Sequence, residues 1–278
     1  MSVLTRPKID CHNHVIDPAR FPFADDTPYR PSGQEVTTAA HLLRVMDSFD
    51  VRHALVVGTN SGYGADSRCL LDAIAVSDGR FKGIAVVEND VSVAELVRLK
   101  SHGIIGIAFN APFHGADYYR GTADLVQKLV DLDLLLQLQV EGDQLVSLLP
   151  LIEASHVRLL VDHCGRPIVP AGLGQPGFQA LLALGRAGRA AVKLSGWYKF
   201  SNEPYPHRDV WPFIQALMDV FTLDACVWGS DFPFLRAAER LDYGPLLTLL
   251  DRLLPDAADQ QKLFWDTPRR LFGFAPER

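Results

Sequence analysis

The 278-residue chain contains no block of lysines and arginines, and its net charge is −6. Nucleic acids and anionic membranes call for a basic face, so neither is expected as a partner. Cysteine is scarce: Cys11, Cys69, Cys164 and Cys226, with no Cys-x-x-Cys pair. Three of them lie in or beside apolar runs, which reads as reduced, buried thiol in a cytoplasmic protein. Met1 to Pro7 has no apolar stretch of the kind a secretory signal carries, and no apolar run is long enough to span a membrane. The absence of Gly-x-Ser-x-Gly removes the nucleophile elbow of a serine esterase. A glycine-rich phosphate turn is missing as well. Repeats of fixed period, low-complexity tracts and linkers rich in Gly, Pro or Ser are also absent, so residues 1–278 are expected to form one domain.

What is present is an alternation. Apolar runs suited to strands occur at Ile9–Cys11, Ala54–Val57, Gly83–Val87, Ile104–Phe109, Leu134–Val140, Val157–Val161, Ala190–Leu194 and Ala225–Trp228. Between them, apolar residues recur at helical spacing, as in Leu42, Val45, Met46 and Phe49. Ser92 and Glu95 have the spacing of a capping box before Leu96. Eight strands alternating with helices fit a single-domain (β/α)8 TIM barrel. A doubly wound open sheet is the rival, but its first strand normally runs into a glycine-rich turn. Here it runs into His12-Asn13-His14. Two polar loops, 17–36 and 199–208, are long enough to shape a pocket. Asp25-Asp26 in the first reads as a solvated turn.

Barrel chemistry sits at the C-terminal ends of strands. Three strand ends stand out. The first carries His12 and His14, two residues apart and so on one side of an extended chain. The second ends Leu159-Leu160-Val161-Asp162-His163, where Gly165-Arg166-Pro167 forces an abrupt exit. Period two places Asp162 on the opposite side from His163, as a structural partner to a neighbouring element. The third ends at Asp231, in Trp228-Gly229-Ser230-Asp231-Phe232-Pro233. Three imidazoles and a carboxylate can hold one metal ion, activate one water, or do both. His41, His53, His102 and His156 fall on helices or helix–strand junctions away from these ends, and His207 falls in a polar loop where exposure is expected.

These segments resemble the amidohydrolase superfamily. The narrower similarity is to the branch of 2-pyrone-4,6-dicarboxylate lactonases and sugar-lactone hydrolases. It is carried by Ile9 to Val15, Tyr63-Gly64-Ala65-Asp66, Gly103 to Asn110, Val161 to Pro167, Lys193-Leu194-Ser195-Gly196 and Trp228 to Pro233. The resemblance implies a barrel that opens a cyclic ester with water. A carboxylate beside imidazoles can take a proton from water, which assigns Asp231 as the expected general base, with His163, His12 and His14 stabilising the oxyanion. Metal is often dispensable in this branch. Fuller metal sites in the superfamily also use ligands from the fourth and fifth strands. The fourth strand here ends Ala108-Phe109-Asn110, and the fifth offers Gln139 and Glu141, so a binuclear site is not expected. One Zn²⁺ on His12, His14, His163 and Asp231 remains open, as does no cofactor.

Positions where the branch carries arginines for two substrate carboxylates correspond here to Ala108, His114 and Lys199, and a branch tyrosine corresponds to Gln139. Lysine does not replace arginine in a bidentate carboxylate contact. The expected substrate is therefore a small lactone, neutral or singly acidic. Asn60, Ser61, Asn110, Gln139, Ser195 and Tyr198 are expected to supply neutral donors and acceptors. Tyr63, Trp197, Phe232 and Phe234 are expected to pack on a ring face, and Lys199 or Arg166 to hold one carboxylate. The alternatives are a lactone isomerase, a zinc-dependent hydrolase or decarboxylase of the superfamily, and a silent binding barrel. Apolar helix faces would also allow a homodimer.

Overall fold

The computed structural model describes residues 2–25 and 27–275. Asp25 is exposed in a turn, and Asp26, its expected partner there, lies outside the described residues. Eight strands run β1 Lys8–Asn13, β2 Val51–Val57, β3 Phe81–Ala85, β4 Ile104–Asn110, β5 Leu135–Gln139, β6 Leu159–Val161, β7 Ala190–Leu194 and β8 Cys226–Trp228. They form one sheet in chain order, parallel throughout. The sheet closes just past the last strand. Asp231 N donates to His12 O at 2.8 Å, and His14 N donates to Phe232 O at 2.9 Å. The fold is a (β/α)8 barrel.

The helices begin where capping chemistry permits. In α1 (Ala39–Ser48), Thr38 Oγ1 accepts from His41 N at 3.2 Å, and Leu42 and Met46 face the sheet. Two more follow, α2 (Arg68–Ala75) and α3 (Val93–Ser101). In α3, Ser92 Oγ accepts from Glu95 N at 3.1 Å. Glu95 itself turns forward to Arg98 rather than back to Ser92, so half of the expected capping box forms. The chain continues through α4 (Ala111–His114), α5 (Ala123–Asp131), α6 (Gln144–Glu153), α7 (Pro176–Arg186), α8 (Trp211–Phe221), α9 (Tyr243–Leu253), α10 (Ala257–Gln261) and α11 (Thr267–Phe272).

Two apolar clusters result. The larger lies between strands and helices. The smaller fills the barrel: Ile9, Cys11, Leu55, Val57, Ile84, Leu135, Leu160 and Val227 meet Trp265, Phe272 and Phe274. His53, at the start of β2, lies beside Trp265 and stacks on Phe274, with ring centroids 4.9 Å apart. The segment after α10 thus plugs the N-terminal foot of the barrel and leaves the C-terminal mouth open.

In β1, Ile9 and Cys11 point into the barrel, so strict alternation would turn His12 outward. It does not, because the β1–β2 register shifts between Asp10 and Asn13. Such a bulge re-aims side chains. Asp10 faces outward and braces the irregularity, accepting from His12 N at 3.2 Å, Ser230 N at 2.8 Å, Ser230 Oγ at 2.6 Å and Tyr243 OH at 2.9 Å.

His41, His102 and His156 are exposed. His207 is not. It is buried at the loop base, with Nδ1 2.9 Å from Glu203 O. The four cysteines are buried thiols. Among the described residues no helix is long and apolar enough to cross a membrane.

Candidate active site

At the barrel mouth lies a cavity of about 670 Å³. His12, His14, His163 and Asp231 all line it, brought together from three strand ends. His163 (φ 49°) and Asp231 (φ 63°) both occupy the left-handed backbone region. This conformation is unfavourable for a residue with a Cβ and recurs where function over-determines the backbone.

The centre is a single oxygen. Asp231 Oδ1 lies 3.6 Å from His12 Nε2, 3.7 Å from His14 Nε2 and 3.9 Å from His163 Nε2. It is buried and makes no hydrogen bond. These separations are too long for direct hydrogen bonds and suit an oxygen seated between the groups. The other oxygen, Oδ2, accepts from Tyr198 OH at 2.7 Å and sits 3.1 Å from Lys199 Nζ. Burial pushes the Asp231 carboxyl up, but Lys199 and His163 outweigh it and hold it well below the usual range. Asp231 is therefore an anion with one oxygen tied down and one presented.

The histidines differ behind their presented nitrogens. His14 Nδ1 lies 2.8 Å from Val57 O, and a carbonyl only accepts, so Nδ1 carries a proton and in the neutral ring the lone pair is on Nε2. His163 Nδ1 meets Ser195 Oγ at 3.0 Å, and burial holds this imidazole well below its ordinary value. His12 Nδ1 lies 3.1 Å from Lys193 Nζ and 3.5 Å from Asp162 Oδ1. Burial and the neighbouring ammonium lower His12 to about 4.

Lys193, Asp162 and Gln137 form a buried polar layer under the site. Lys193 Nζ sits 3.0 Å from Asp162 Oδ1 and donates to Gln137 Oε1 at 2.6 Å. Gln137 Nε2 donates to Asp162 Oδ2 at 2.8 Å. Burial would raise the Asp162 carboxyl, yet Lys193 and His12 draw it below the usual carboxylate range. This corrects the expected outward Asp162. Leu160 points inward, so its period-two neighbour Asp162 does too. His163 reaches the cavity because the strand ends at Val161 and the backbone turns there.

Asn60, Ser61, Asn110, Gln139, Arg166, Tyr198 and Lys199 line the cavity as expected. Asn60 and Asn110 are joined by a 3.2 Å bond, and Asn60 Nδ2 lies 3.0 Å from His114 Nε2. Tyr63 does not reach it. It is buried against Phe23, and its hydroxyl accepts from Asp17 N at 3.0 Å. Trp197, Phe232 and Phe234 lie outside the cavity wall, and Ser195 stands behind His163. Of loop 199–208 only Lys199 contributes, because Ser201 and Asn202 fold back onto Asp209. The wall comes instead from Leu235, Arg236 and Ala238 after β8, where sequence reading placed nothing. Among the described residues of loop 17–36, only Pro28 reaches it.

Three of the four central groups are spaced for one metal ion. His12, His14 and Asp231 present donor atoms within 4.8 Å of one another. His14 offers a lone pair and Asp231 an oxygen without a partner, which suits an ion. His12 suits it less, because a metal-bound histidine usually donates its other nitrogen to an acceptor, whereas an ammonium stands behind His12.

The family model for amidohydrolases matches residues 9–274. This chain belongs to the amidohydrolase family. The amidohydrolase is 32% identical over 274 residues to 4-sulfomuconolactone hydrolase of Rhizobium radiobacter, covering 95% of this chain and 89% of that one. It is 28% identical over 277 residues to 2-pyrone-4,6-dicarboxylate hydrolase of Comamonas testosteroni, with the same coverage. A solved structure from Pseudomonas putida, described as a candidate 2-pyrone-4,6-dicarboxylic acid hydrolase, superposes with a TM-score of 0.84 at 26% identity. That match covers 98% of this amidohydrolase and 99% of the other chain.

Proposed function

We propose that this chain hydrolyses a small lactone bearing an anionic substituent, with Asp231 as general base. The observation that carries the reading is Asp231 Oδ1, a buried carboxylate oxygen facing three imidazoles across a gap that fits a reacting oxygen. Relatives named for opening a sulfonated and a dicarboxylated lactone support the substrate class.

Water donates one hydrogen to Asp231 Oδ1 and the other to the lone pair of His14 Nε2. His12 and His163 donate from Nε2 to the lactone carbonyl. As the water oxygen bonds to the carbonyl carbon, its proton passes to Asp231 and charge grows on the carbonyl oxygen. The two imidazole donors stabilise that charge in a site shielded from bulk water. The ring C–O bond then breaks, and Asp231 returns the proton to the leaving oxygen. Placing the water on His14 refines the sequence-based view that all three histidines polarise the carbonyl. Zinc would be held by His14 and Asp231, together with His12 if its Nε2 gave up the proton, and would supply a Lewis acid at the same carbonyl.

The anion falls to Arg166 and Arg236. Lys199 lies against Asp231 and Leu235 O, so it serves the base more than the substrate. Arg166 pairs with Glu141 at 2.5 Å through Nη2, and its Nε is buried without a partner. The Arg236 guanidinium lies 4.4 Å from the centre of the Tyr29 ring. The test is a pH-indicator assay on neutral, monoanionic and dianionic lactones, using protein stripped of metal and protein supplied with zinc. Ring opening of a monoanionic lactone supports the reading. Inertness toward every lactone under both conditions removes it.

A further inference from the structure

Lys193 is a fully buried charged group beneath the site that the mechanism above does not use. An ammonium has three donors and no acceptor. It contacts Gln137 Oε1 at 2.6 Å and His12 Nδ1 at 3.1 Å, and it lies 3.0 Å from Asp162 Oδ1 as an ion pair that leaves that oxygen without a hydrogen bond. The amide of Gln137 has no freedom to reverse, because its Nε2 is committed to Asp162 Oδ2 at 2.8 Å. Asp162 Oδ1 is a second potential partner for His12 Nδ1, but at 3.5 Å it is the more distant one. The two partners dictate opposite outcomes. Toward Asp162, His12 would carry its proton on Nδ1 and present a lone pair to the cavity. Toward Lys193, it carries the proton on Nε2 and presents a donor.

We propose that Lys193 is a positioning residue that locks His12 as an Nε2–H donor, and thereby keeps His12 out of any metal site at this mouth. The lock separates the two histidines of the first strand. His14 is fixed as a lone-pair donor by Val57 O, and His12 as a hydrogen donor by Lys193. One strand end thus holds one group for water and one for the carbonyl. Among the described residues, both groups of side chains close enough to share one ion, His12–His14–Asp231 and His12–Asp162–His163, include His12, so a zinc ion entering here lacks that ligand unless Lys193 is displaced.

The test is nitrogen-15 NMR of the histidine side chains in the resting protein, with His12 assigned from a His12→Asn sample. The expected spectrum has protonated Nε2 on His12 and protonated Nδ1 on His14. Zinc added to wild-type protein is expected to leave the proton on His12 Nε2. Lys193→Met should transfer the His12 proton to Nδ1 and tighten zinc binding at least tenfold, read by calorimetric titration. Lys193→Gln, which can still donate, should hold the wild-type tautomer. A wild-type His12 protonated on Nδ1 overturns the lock, whether or not the variants fold. Displacement of the His12 proton by zinc in wild-type protein overturns the exclusion. Both spectra are read without substrate, so they stand or fall separately from the lactone assignment.

Discussion

Replacing Asp231 with Asn keeps the shape of the side chain and removes the base. Asn can still accept from Tyr198 through its carbonyl oxygen, but its amide group cannot take a proton from water. Positioned general bases contribute about 10²–10⁴ in rate, equivalent to ~3–5.5 kcal/mol in the barrier. The fold is expected to survive. What is lost in the ground state is one charge-assisted hydrogen bond and one ion pair, at Tyr198 and Lys199. Hydrogen bonds to charged groups are worth about 1.5–3 kcal/mol, against a typical domain stability of about 5–15 kcal/mol. The measurement pairs kcat/KM from the pH-indicator assay with urea unfolding of the same samples. The expected result is a fall of at least a hundredfold in kcat/KM in a protein that still unfolds cooperatively. If Asp231→Asn kept more than about a tenth of wild-type kcat/KM, Asp231 would not be the base, and the geometry around Oδ1 would need another explanation.

Three further outcomes follow from the same structure. Arg166→Ala should raise KM for a monoanionic lactone by about ten- to a hundredfold, the scale of one charge-assisted contact, and leave a neutral lactone unaffected; equal losses on both would remove Arg166 from anion binding. His12 is lowered to about 4 and His163 lies well below its ordinary value, so neither should contribute a limb to kcat/KM near pH 6.5. Stability should still fall with acid, because below pH 6.5 the unfolded chain takes up a His12 proton that the folded chain refuses until about 4. A flat urea midpoint across that window would contradict a buried neutral His12. Trp265→Ala empties part of the barrel foot and should lower stability by about 3–5 kcal/mol while leaving KM within twofold; a changed KM with unchanged stability would mean the plug does not act as packing.

The barrel and its four central groups were legible because each rests on a local signal: an apolar run of strand length with a polar residue where it stops. What escaped reading depends on where a strand stops and how the backbone turns. Asp162 was assigned outward by counting from His163, but His163 is already in a left-handed turn, so the count must start from Leu160. The same counting happened to give the correct side for His12 and His14, although a bulge separates them from Ile9 and Cys11. Tyr63 sits in a motif shared with the lactonase branch, but only its contacts with Phe23 and Asp17 show that it supports the first loop. Loop length also misled. Residues 199–208 are polar and long yet knot onto Asp209. The shorter Leu235–Ala238 stretch turns into the mouth, with left-handed backbone at Phe234 and Arg236. Lys193 gave no signal as a buried cation, because its partners Asp162 and Gln137 lie 31 and 56 positions away.

The seam of the barrel runs through the site. His12 belongs to the first strand and Asp231 follows the eighth, and the backbone bond from Asp231 N to His12 O is part of the closure itself. A chain with seven strands in place would have a pocket without its carboxylate, so ring opening reports that the last joint has been made. Two fragments divided on the surface between β4 and β5 would each be inert, and their reassembly would appear as acid release. That would make the enzyme its own sensor of complementation.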